Sequence, residues 1–434
     1  MAQDWQKKLQ RLGVVKGTRH LKPASPAAGK QSPLASPSSP LASPPYSEYD
    51  DDVQPLDKLL PGGMIQSTPD GDCFILDNVY PLNHQHGDDK LDSWQAVDWG
   101  ATAVLTQDPR LADLTCRDCL FLDTETTGLA GAGTVAFMVG AAFVEGDAVV
   151  VRQYFLRDHG DEPAMLLLLD ELLADKKALV TFNGRSFDLP LLDRRFLMNR
   201  LPADLLDRPH IDLLLPARRL WRSRLQSVSL KNLETNLLGV RRTHEDVPGF
   251  AIPGLYHDYI RTGDARQMAR VFYHNEIDML SMVTLLPRVI RQFAHADERD
   301  HALDLFSLGR WQHQMGLLAE AEQNLRHALA GELSLELYHQ TLYELANLLK
   351  RNGRRAEALL LWQQIAATTF DDVAAHVELA MHYEWQEKDV TMALRWTEQA
   401  VQLANSMGTN GRSLRDELEH RLARLQAKVG DERD

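Results

Sequence analysis

The sequence predicts an α/β domain built on a mixed β-sheet, followed by an all-α domain of helical repeats and preceded by a disordered region. Strand-like and helix-like runs alternate between residues 119 and 289, and a helical motif recurs at a period of 34–37 residues near the C-terminus. The first part of the chain is instead rich in serine and proline. A length of 434 residues is enough for two or three domains of about 150 residues each.

The N-terminal region, residues 1–59, is predicted to be mostly disordered. Up to Lys22 the chain could form a short basic amphipathic helix. From Pro23 to Pro45, seven prolines and six serines occur in 23 residues, with two copies of Ser-Pro-Leu-Ala-Ser-Pro. Because proline removes backbone donors and serine competes for backbone hydrogen bonds, no packed core is expected there. A docking or phosphorylation segment is the functional alternative.

Residues 60–115 are predicted to be a β-rich lead-in to the next domain. Its strand-like pieces are Cys73–Leu76 and Ala103–Thr106, with a turn at Asn83–Gly87. The domain over residues 116–292 has strand-like runs at 119–123, 135–144, 148–155 and 178–182, and helix-like runs at 162–174, 186–199 and 265–289. Three strands in meander order, then a helix, a strand and a helix, favour a mixed sheet over the repeated βαβ units of a dinucleotide-binding fold.

The last third of the chain, residues 300–430, is predicted to be a helical repeat domain. Leu308, Gly316 and the motif Ala-Glu-Ala at 319–321 recur 37 residues later, and a looser third copy follows at an offset of 34. A period near 34 with small residues in helix pairs is typical of tetratricopeptide repeats. Leucines from Leu414 onward form one amphipathic stripe, which predicts a capping helix. A generic helical bundle is the alternative.

Charge and composition exclude several classes of protein. Lysine and arginine number 47 against 61 acidic residues, a net charge of −14, so the chain is not a polycation that coats nucleic acid. The longest apolar run, 135–144, is far shorter than the roughly 20 residues of a membrane helix. The N-terminus lacks the apolar stretch of a secretory signal. Three cysteines suit a reducing compartment, so we expect a cytoplasmic protein that does not enter a membrane.

Four acidic residues occupy positions that a sheet would bring together. Asp123 and Glu125 end an apolar strand, Asp188 lies where a strand is followed by a helix, and Asp278 lies on a helix with one apolar face. Each alone is typical of a solvated surface acid. Strand alternation, however, puts residues 123 and 125 on the same side. Two acids on one face at the end of a buried strand are unfavourable unless a positive group lies between them.

Three segments carry a family resemblance, namely FLDTETTGL (121–129), TFNGRSFDLPLL (181–192) and HNEIDMLSMVTLL (274–286). They resemble the three exonuclease motifs of the DEDD exonuclease superfamily, which has a ribonuclease-H-like fold. The sequences of the three segments are most similar to those of the bacterial YprB-type ribonuclease-H-like family. Connecting segments such as HIDLLLPARRLW and VPGFAIPGLY are similar to the same family, so the resemblance covers roughly residues 60–290.

The resemblance implies a metal site. Asp123, Glu125, Asp188 and Asp278 should together hold two divalent ions, with Asp123 bridging both. Four carboxylates carry about four negative charges, which two Mg²⁺ or Mn²⁺ ions would neutralise, and these hard ions prefer oxygen ligands. Two ions about 3.5–4 Å apart are suited to an in-line displacement at phosphorus, where one activates the attacking water and the other stabilises the leaving oxygen.

A general base is also needed, and two neighbouring residues are candidates. His274 lies four positions before Asp278, so both project from one face of a helix. A neutral imidazole suits proton abstraction at pH 7. In the superfamily, a gap of three residues before the last acid belongs to the branch that uses tyrosine, and Tyr273 lies one residue before His274. The identity of the base stays open between the two. A surface His–Asp helix pair is the alternative without function.

Four further residues are candidates for binding the end of a nucleic acid. Asn183 and Phe187 lie beside Asp188. By resemblance, Asn183 orients the terminal nucleotide or a water molecule, while Phe187 packs the helix. Thr126 and Leu129 follow the first two acids, where related enzymes contact the 3′ end and wedge between bases. Core packing explains Leu129 about as well.

Local charge also suits nucleic acid. From Arg185 to Glu245, twelve basic residues occur against seven acidic ones, and four of the arginines surround Trp221. Phosphate contacts combined with an aromatic ring for base stacking are what binding of a single strand needs. A helix with a solvated basic face is the alternative interpretation.

Together these patterns predict a metal-dependent nuclease, most simply a 3′–5′ exonuclease that hydrolyses phosphodiester bonds of single-stranded DNA or RNA. The repeats would recruit a protein partner or shape the path of the substrate. One alternative is a non-catalytic, nucleic-acid-binding adaptor that acts through its repeats, although the presence of all four acids counts against it. The other is a structure-specific endonuclease that uses the same site.

Overall fold

The computed structural model describes residues 53–128, 133–202, 204–369, 372–406 and 412–431. The predicted basic helix, the Ser/Pro-rich segment and Leu129 lie outside these residues. The described chain begins close to a short helix, α1 (Leu56–Leu59), whose Leu56 is buried in the core.

A mixed sheet of seven strands forms the centre of the described α/β region, in the order β1-β2-β7-β6-β5-β8-β9. Its strands are β1 (Met64–Thr68), β2 (Gly71–Pro81), β5 (Cys119–Thr126), β6 (Ala136–Glu145), β7 (Ala148–Phe155), β8 (Ala178–Thr181) and β9 (His210–Asp212). Strands β3 (Gln85–His86) and β4 (Asp89–Lys90) form a separate hairpin. The pairs from β1 to β5 are antiparallel, whereas β8 lies parallel to β5 and β9 parallel to β8. Strand β5, the fifth in this order, is therefore the strand at which the sheet changes from antiparallel to parallel.

Helices cover both faces of this sheet. They are α2 (Trp99–Thr106), α3 (Glu162–Ala174), α4 (Asp188–Met198), α5 (Leu214–Leu225), α6 (Leu230–Leu233), α7 (Ile252–Thr262) and α8 (Arg266–Ala294). Leu122 of β5 shares one core with Leu166 of α3 and Leu192 of α4. Phe121, which points to the opposite face, shares a second core with Met282 of α8. The alternation of side chains along β5 thus feeds both cores.

The predicted fold class is confirmed: a mixed α/β sheet domain is followed by an all-helical region. The strands predicted at 119–123, 135–144, 148–155 and 178–182 are present as β5 to β8, because their apolar runs are buried on both faces. The helices predicted at 162–174, 186–199 and 265–289 are present as α3, α4 and α8. Strands β1 and β2 extend the same sheet, so part of the predicted lead-in contributes to it.

One predicted strand is wrong. Ala103–Thr106 forms the second half of helix α2, which begins after Asp98, whose side chain accepts a hydrogen bond from the Ala101 N–H at 2.9 Å. The helix ends where Gln107 adopts a left-handed conformation, with φ of 58°. A short apolar run does not by itself distinguish a strand from a helix, and here the aspartate cap before it decides for the helix.

The C-terminal region is all-helical in the part that the structure describes. Its helices are α9 (Ala302–Met315), α10 (Leu318–Ala330), α11 (Leu335–Arg351), α12 (Arg355–Thr368), α13 (Val373–His382), α14 (Val390–Ser406) and α15 (Arg412–Asp431). Helices that follow one another in the chain pack against each other. Gly316 and Gly353, which repeat at an offset of 37, have φ of +83° and +77° at the ends of α9 and α11. The repeated glycine therefore ends a helix in the left-handed conformation.

A membrane-spanning segment was not expected from the sequence. Within the described residues, every helix is too short or too polar to cross a membrane.

Candidate active site

The first two predicted acids lie on one side of β5. Asp123 and Glu125 are separated by Thr124, so their side chains leave the strand on the same face. The pairing of β5 with β6 shifts register between Glu125 and Thr126, which marks the end of the regular strand. A β-bulge at such a point redirects side chains, and here it follows the two acids directly.

Asp188 is placed beside these acids by the turn between β8 and α4. Asp188 is the first residue of α4 and is buried, and its carboxylate accepts a hydrogen bond from the Thr124 hydroxyl. The turn is fixed by Asp212 at the end of β9, which accepts hydrogen bonds from the N–H groups of Asn183 at 2.9 Å and Arg185 at 3.2 Å. The parallel strands β5, β8 and β9 therefore bring their carboxyl ends to one edge, as in other open α/β sheets.

Helix α8 supplies the remaining polar groups. The amide of Asn275 donates to Oδ2 of Asp123 at 3.0 Å, and its own oxygen accepts from Nε2 of Gln153 at 2.9 Å. This close approach requires Gly140 on β6, because a Cβ there would lie 2.3 Å from the Asn275 side-chain oxygen. Asp278 is three residues after Asn275, and pairing of the helix with the sheet at Gly140 therefore places Asp278 beside the acids of β5.

Burial and mutual repulsion perturb the acids. Burial, followed by the charges of Asp188, Asp278 and Glu125, raises the pKa of Asp123 well above its usual range. Burial and the charges of Asp278 and Asp188 do the same to the pKa of Glu125. Burial also raises the pKa of Asp188 to about 6, against the lowering effect of the Thr124 hydrogen bond. The structure thus brings together all four predicted acids. A bound cation would reduce the electrostatic repulsion among them.

The donor set fits a divalent cation. Among the described residues, Glu125, His274 and Asp278 each offer one ligand atom, and these three atoms lie within 4.8 Å of one another. Nε2 of His274 lies 3.5 Å from Asp278 Oδ2 and 3.9 Å from Glu125 Oε1. Carboxylate oxygens are the ligands that Mg²⁺ and Mn²⁺ prefer, so the acids are the part of this set that such an ion would use. The charge of Asp188 contributes to the raised pKa of both Asp123 and Glu125, so Asp188 lies near the same cluster.

Sequence reasoning missed three charged residues in this site. Nδ1 of His274 lies 2.7 Å from Oδ1 of Asp246. Arg242 donates to Asp246 at 3.2 Å, to Asp278, and to both carboxylate oxygens of Glu234 at 2.6 and 2.7 Å. All three lie in or before the loop ahead of α7, where no periodic pattern marks them. The sequence did contain one indication of this region, the family-like segment VPGFAIPGLY, which begins directly after Asp246.

Asp246 is strongly acidic in this setting. Burial alone would raise the pKa of its carboxyl group, but hydrogen bonds from Lys231 and His274 and the charge of Arg242 outweigh burial and lower the pKa to about 2. An ionised carboxylate can only accept hydrogen bonds, so Nδ1 of His274 carries a proton and donates it. When His274 is neutral, its Nε2 therefore holds the lone pair that faces Glu125 and Asp278.

The other candidate residues are placed less directly at the acids. The Tyr273 hydroxyl accepts a hydrogen bond from the Thr243 N–H at 3.0 Å. The Thr126 hydroxyl donates to the Gly128 carbonyl at 2.9 Å. Asn183 is exposed, with φ of 73°, and Phe187 is half-buried at the start of α4. Of these residues, Asn183 alone combines an exposed side chain with a position in the turn that carries Asp188.

The interpretation of Trp221 as a base-stacking ring is wrong. Trp221 is only 1% exposed and belongs to the second core. Of the arginines around it, Arg224 pairs with Asp304 at 2.8 Å and Arg219 donates to Gln314 at 2.6 Å. Both partners lie on α9. Part of this basic cluster therefore attaches the α/β domain to the helical region.

This sheet, with its acids gathered at the end of β5, is of the RNase H type. Residues 120–290 match the RNase_H_2 family model, which is described as RNase_H superfamily. Over 367 residues the chain is 32% identical to the uncharacterized protein YprB of Bacillus subtilis (strain 168), a match that covers 82% of this chain and 86% of the relative. The chain belongs to the YprB family within the RNase H superfamily.

Family membership bears on function in general terms. It confirms the predicted resemblance, and it suggests a nuclease-type function, as a hydrolase that binds and acts on nucleic acids. Domains of this superfamily generally use divalent metal ions, and the acid cluster is a candidate site for them.

Proposed function

We propose that this protein is a metal-dependent 3′–5′ exonuclease of the DEDD type that hydrolyses phosphodiester bonds of single-stranded DNA or RNA. The observation that carries the proposal is the convergence of Asp123, Glu125, Asp188 and Asp278 beside His274 at the edge of β5. Three separate chain segments supply these groups, although nothing in the packing of the fold requires buried acids there.

Asp123, Glu125, Asp188 and Asp278 would hold two Mg²⁺ or Mn²⁺ ions. Such ions supply charge neutralisation at the phosphate and activation of the attacking water. The raised pKa values of Asp123 and Glu125 support this role, because these half-buried acids repel one another and a bound cation would offset that repulsion. Asn275 orients Asp123, since its amide is fixed by Gln153 on the far side.

His274 would act as the general base. Its Nε2 faces the acid cluster, while Nδ1 is held by Asp246, so the ring is oriented to accept a proton at Nε2. The Tyr273 hydroxyl is instead engaged by the backbone of Thr243. This contact supports His274 over Tyr273, which the sequence left as an alternative.

Substrate would approach over the turn that carries Asp188. We propose that Asn183 contacts the terminal nucleotide, because its side chain is exposed on that turn. Thr126, Phe187 and Leu129 stay predicted contacts from the resemblance, with Leu129 outside the described residues.

The C-terminal helices would be tetratricopeptide-like repeats that bind a protein partner. The recurrence of helix pairs and of helix-ending glycines at 316 and 353 supports this interpretation. A cytoplasmic location stays a prediction, supported by three free thiols, Cys73, Cys116 and Cys119.

The test of the exonuclease uses the full chain with 5′-labelled single-stranded DNA and RNA oligomers, in Mg²⁺, Mn²⁺ or EDTA. We expect a metal-dependent ladder that shortens from the 3′ end, absent in Asp188→Asn. A circular single strand separates the endonuclease alternative, since an exonuclease leaves it intact. Absence of cleavage in every metal, with nucleic-acid binding retained, would instead support the adaptor.

A further inference from the structure

Arg242 is a buried arginine at the side of the acid cluster. Its side chain is 5% exposed, and the three acids that it contacts, Glu234, Asp246 and Asp278, are 1%, 7% and 15% exposed. One guanidinium therefore faces three carboxylates in a region with little water. Buried arginines of this kind are held by directional hydrogen bonds rather than by charge alone.

The contacts of Arg242 fall into two groups, those that hold the guanidinium through Glu234 and those that reach the residues of the candidate site. Nε and Nη2 donate to the two oxygens of Glu234 at 2.7 and 2.6 Å, a bidentate arrangement that fixes the plane of the guanidinium. The remaining contacts reach Asp246 at 3.2 Å, Oδ1 of Asp278, and Nδ1 of His274 at 3.2 Å. Glu234 touches neither His274 nor the acids of β5 in the hydrogen bonds described, so its role is to hold Arg242.

The loop that carries Arg242 is itself fixed. The carbonyl of Leu238 accepts a hydrogen bond from the Asp88 N–H at 2.7 Å. On the other side, Arg270 of α8 donates to the carbonyls of Glu245 at 3.1 Å and Asp246 at 3.2 Å. The backbone on either side of Arg242 is therefore held in place, while the bidentate bond to Glu234 holds the guanidinium itself.

We propose that Arg242 is a permanent counter-cation of the acid cluster, a positioning residue that holds Asp278 and lowers the affinity of the site for divalent ions. The inference rests on the proposed function, because it takes Asp278 as a ligand of such an ion. Both the guanidinium and an ion attract the Asp278 carboxylate, and the fixed positive charge also repels an ion nearby. A phosphodiester bound in the site adds negative charge, so ions bind more tightly once nucleic acid is present.

A calorimetric titration of the full chain with Mn²⁺, without nucleic acid, tests this role. We expect Arg242→Gln to bind Mn²⁺ roughly tenfold more tightly than the parent protein, because a unit charge near the site has been removed. The same variant should cleave more slowly, since Asp278 and Asp246 lose their alignment. A merely structural arginine would give the opposite sign for Mn²⁺, namely weaker binding in the variant.

Two further variants keep the test decisive. The double variant Arg242→Gln, Glu234→Gln removes one charge of each sign, and we expect it to fold and to bind Mn²⁺ more tightly than the parent. The matched control is Arg195→Gln, which breaks the buried pair of Arg195 with Glu162 away from the acids. It should lower thermal stability and leave Mn²⁺ affinity unchanged.

The outcomes separate this proposal from the exonuclease itself. If the parent binds Mn²⁺ and loses this binding in Asp188→Asn, while Arg242→Gln and the double variant bind no more tightly than the parent, the role of Arg242 is overturned alone. If neither the parent nor any variant binds Mn²⁺, the metal site and the role of Arg242 both fail. Slower cleavage in Arg242→Lys, with Mn²⁺ affinity near that of the parent, supports the need for both the charge and the planar fork.

Discussion

His274 and Asp246 form a hydrogen-bonded pair in which Nδ1 of the imidazole lies 2.7 Å from Oδ1 of the carboxylate. Because the pKa of Asp246 is about 2, the carboxylate accepts and the ring donates. The other ring nitrogen is left facing Asp278 at 3.5 Å. Carboxylate–histidine pairs of this kind set the tautomer and the orientation of a functional imidazole.

Asp246→Asn is predicted to lower kcat about 10- to 100-fold while changing KM for a short oligomer less than about threefold. The amide can donate to Nδ1, which would favour a proton on Nε2 and remove the lone pair from the acid cluster. Single-turnover cleavage with saturating metal measures this effect. Tyr273→Phe is the control, and we expect it to retain nearly full activity. A large loss in Tyr273→Phe with none in Asp246→Asn would assign the base to tyrosine.

Asp188→Asn is predicted to abolish metal-dependent cleavage without unfolding the protein. The carboxylate is lost as a ligand, while the amide keeps an oxygen that can accept from the Thr124 hydroxyl. Cleavage of labelled oligomers and the far-ultraviolet circular dichroism spectrum measure the two parts. Retained cleavage would show that Asp188 is not a metal ligand. Loss of the circular dichroism signal of the folded protein would show that the carboxylate is needed for folding.

The stability difference between Asp188→Asn and the parent should depend on pH in EDTA. Asp188 has a folded-state pKa of about 6 against about 3.9 when unfolded. The folded state thus binds more protons in that window, so the parent loses stability as pH rises from about 4 to about 6. We expect Asp188→Asn to gain up to about 2–3 kcal/mol relative to the parent across this range. Urea unfolding at several pH values checks this, and a constant difference would contradict it.

The strands and helices could be predicted wherever apolar runs were long and buried, as in β6 and α8. The two acids of β5 could be predicted because strand alternation determines which face a side chain leaves. Local pattern was enough in these cases because the relevant neighbours lie within one element.

Arg242 and Asp246 could not be predicted in the same way. They lie in an irregular loop, and they meet His274 only because α8 crosses the sheet beside that loop. Trp221 shows the complementary error, since charge and aromatic content in the sequence do not reveal which side of α5 is buried. Contacts between distant segments depend on the tertiary arrangement, which residue spacing along one segment does not contain.

Gly140→Ala is predicted to destabilise the protein by about 1–3 kcal/mol and to lower cleavage. A Cβ at Gly140 would lie 2.3 Å from the oxygen of Asn275, so α8 or the Asn275 side chain must move. Either movement disturbs the hydrogen bond from Asn275 to Asp123. Urea unfolding and single-turnover cleavage measure the two effects. Gly146→Ala is the control for loss of a glycine, because an added Cβ there would meet nothing within 4 Å beyond its chain neighbours, and we expect it to affect stability alone.

Arg224→Ala is predicted to weaken the attachment of the helical region to the α/β domain. Asp304 on α9 is 3% exposed, and burial raises the pKa of its carboxyl group although Arg224 pairs with it at 2.8 Å. Without Arg224 the buried acid has lost its ion-pair partner, so we expect a loss of about 1–3 kcal/mol in the free energy of unfolding.

The matched control for this ion pair is Arg326→Ala, which removes a more exposed partner of Glu322 and should change stability by less than about 1 kcal/mol. The variant Asp304→Asn is a second comparison, because it removes the buried charge itself. We expect it to lower the free energy of unfolding less than Arg224→Ala does. Urea unfolding followed by tryptophan fluorescence measures all three. Since Trp221 and Leu308 share one core, the parent should unfold in a single transition. Two separate transitions in the parent would show that the domains are stable independently.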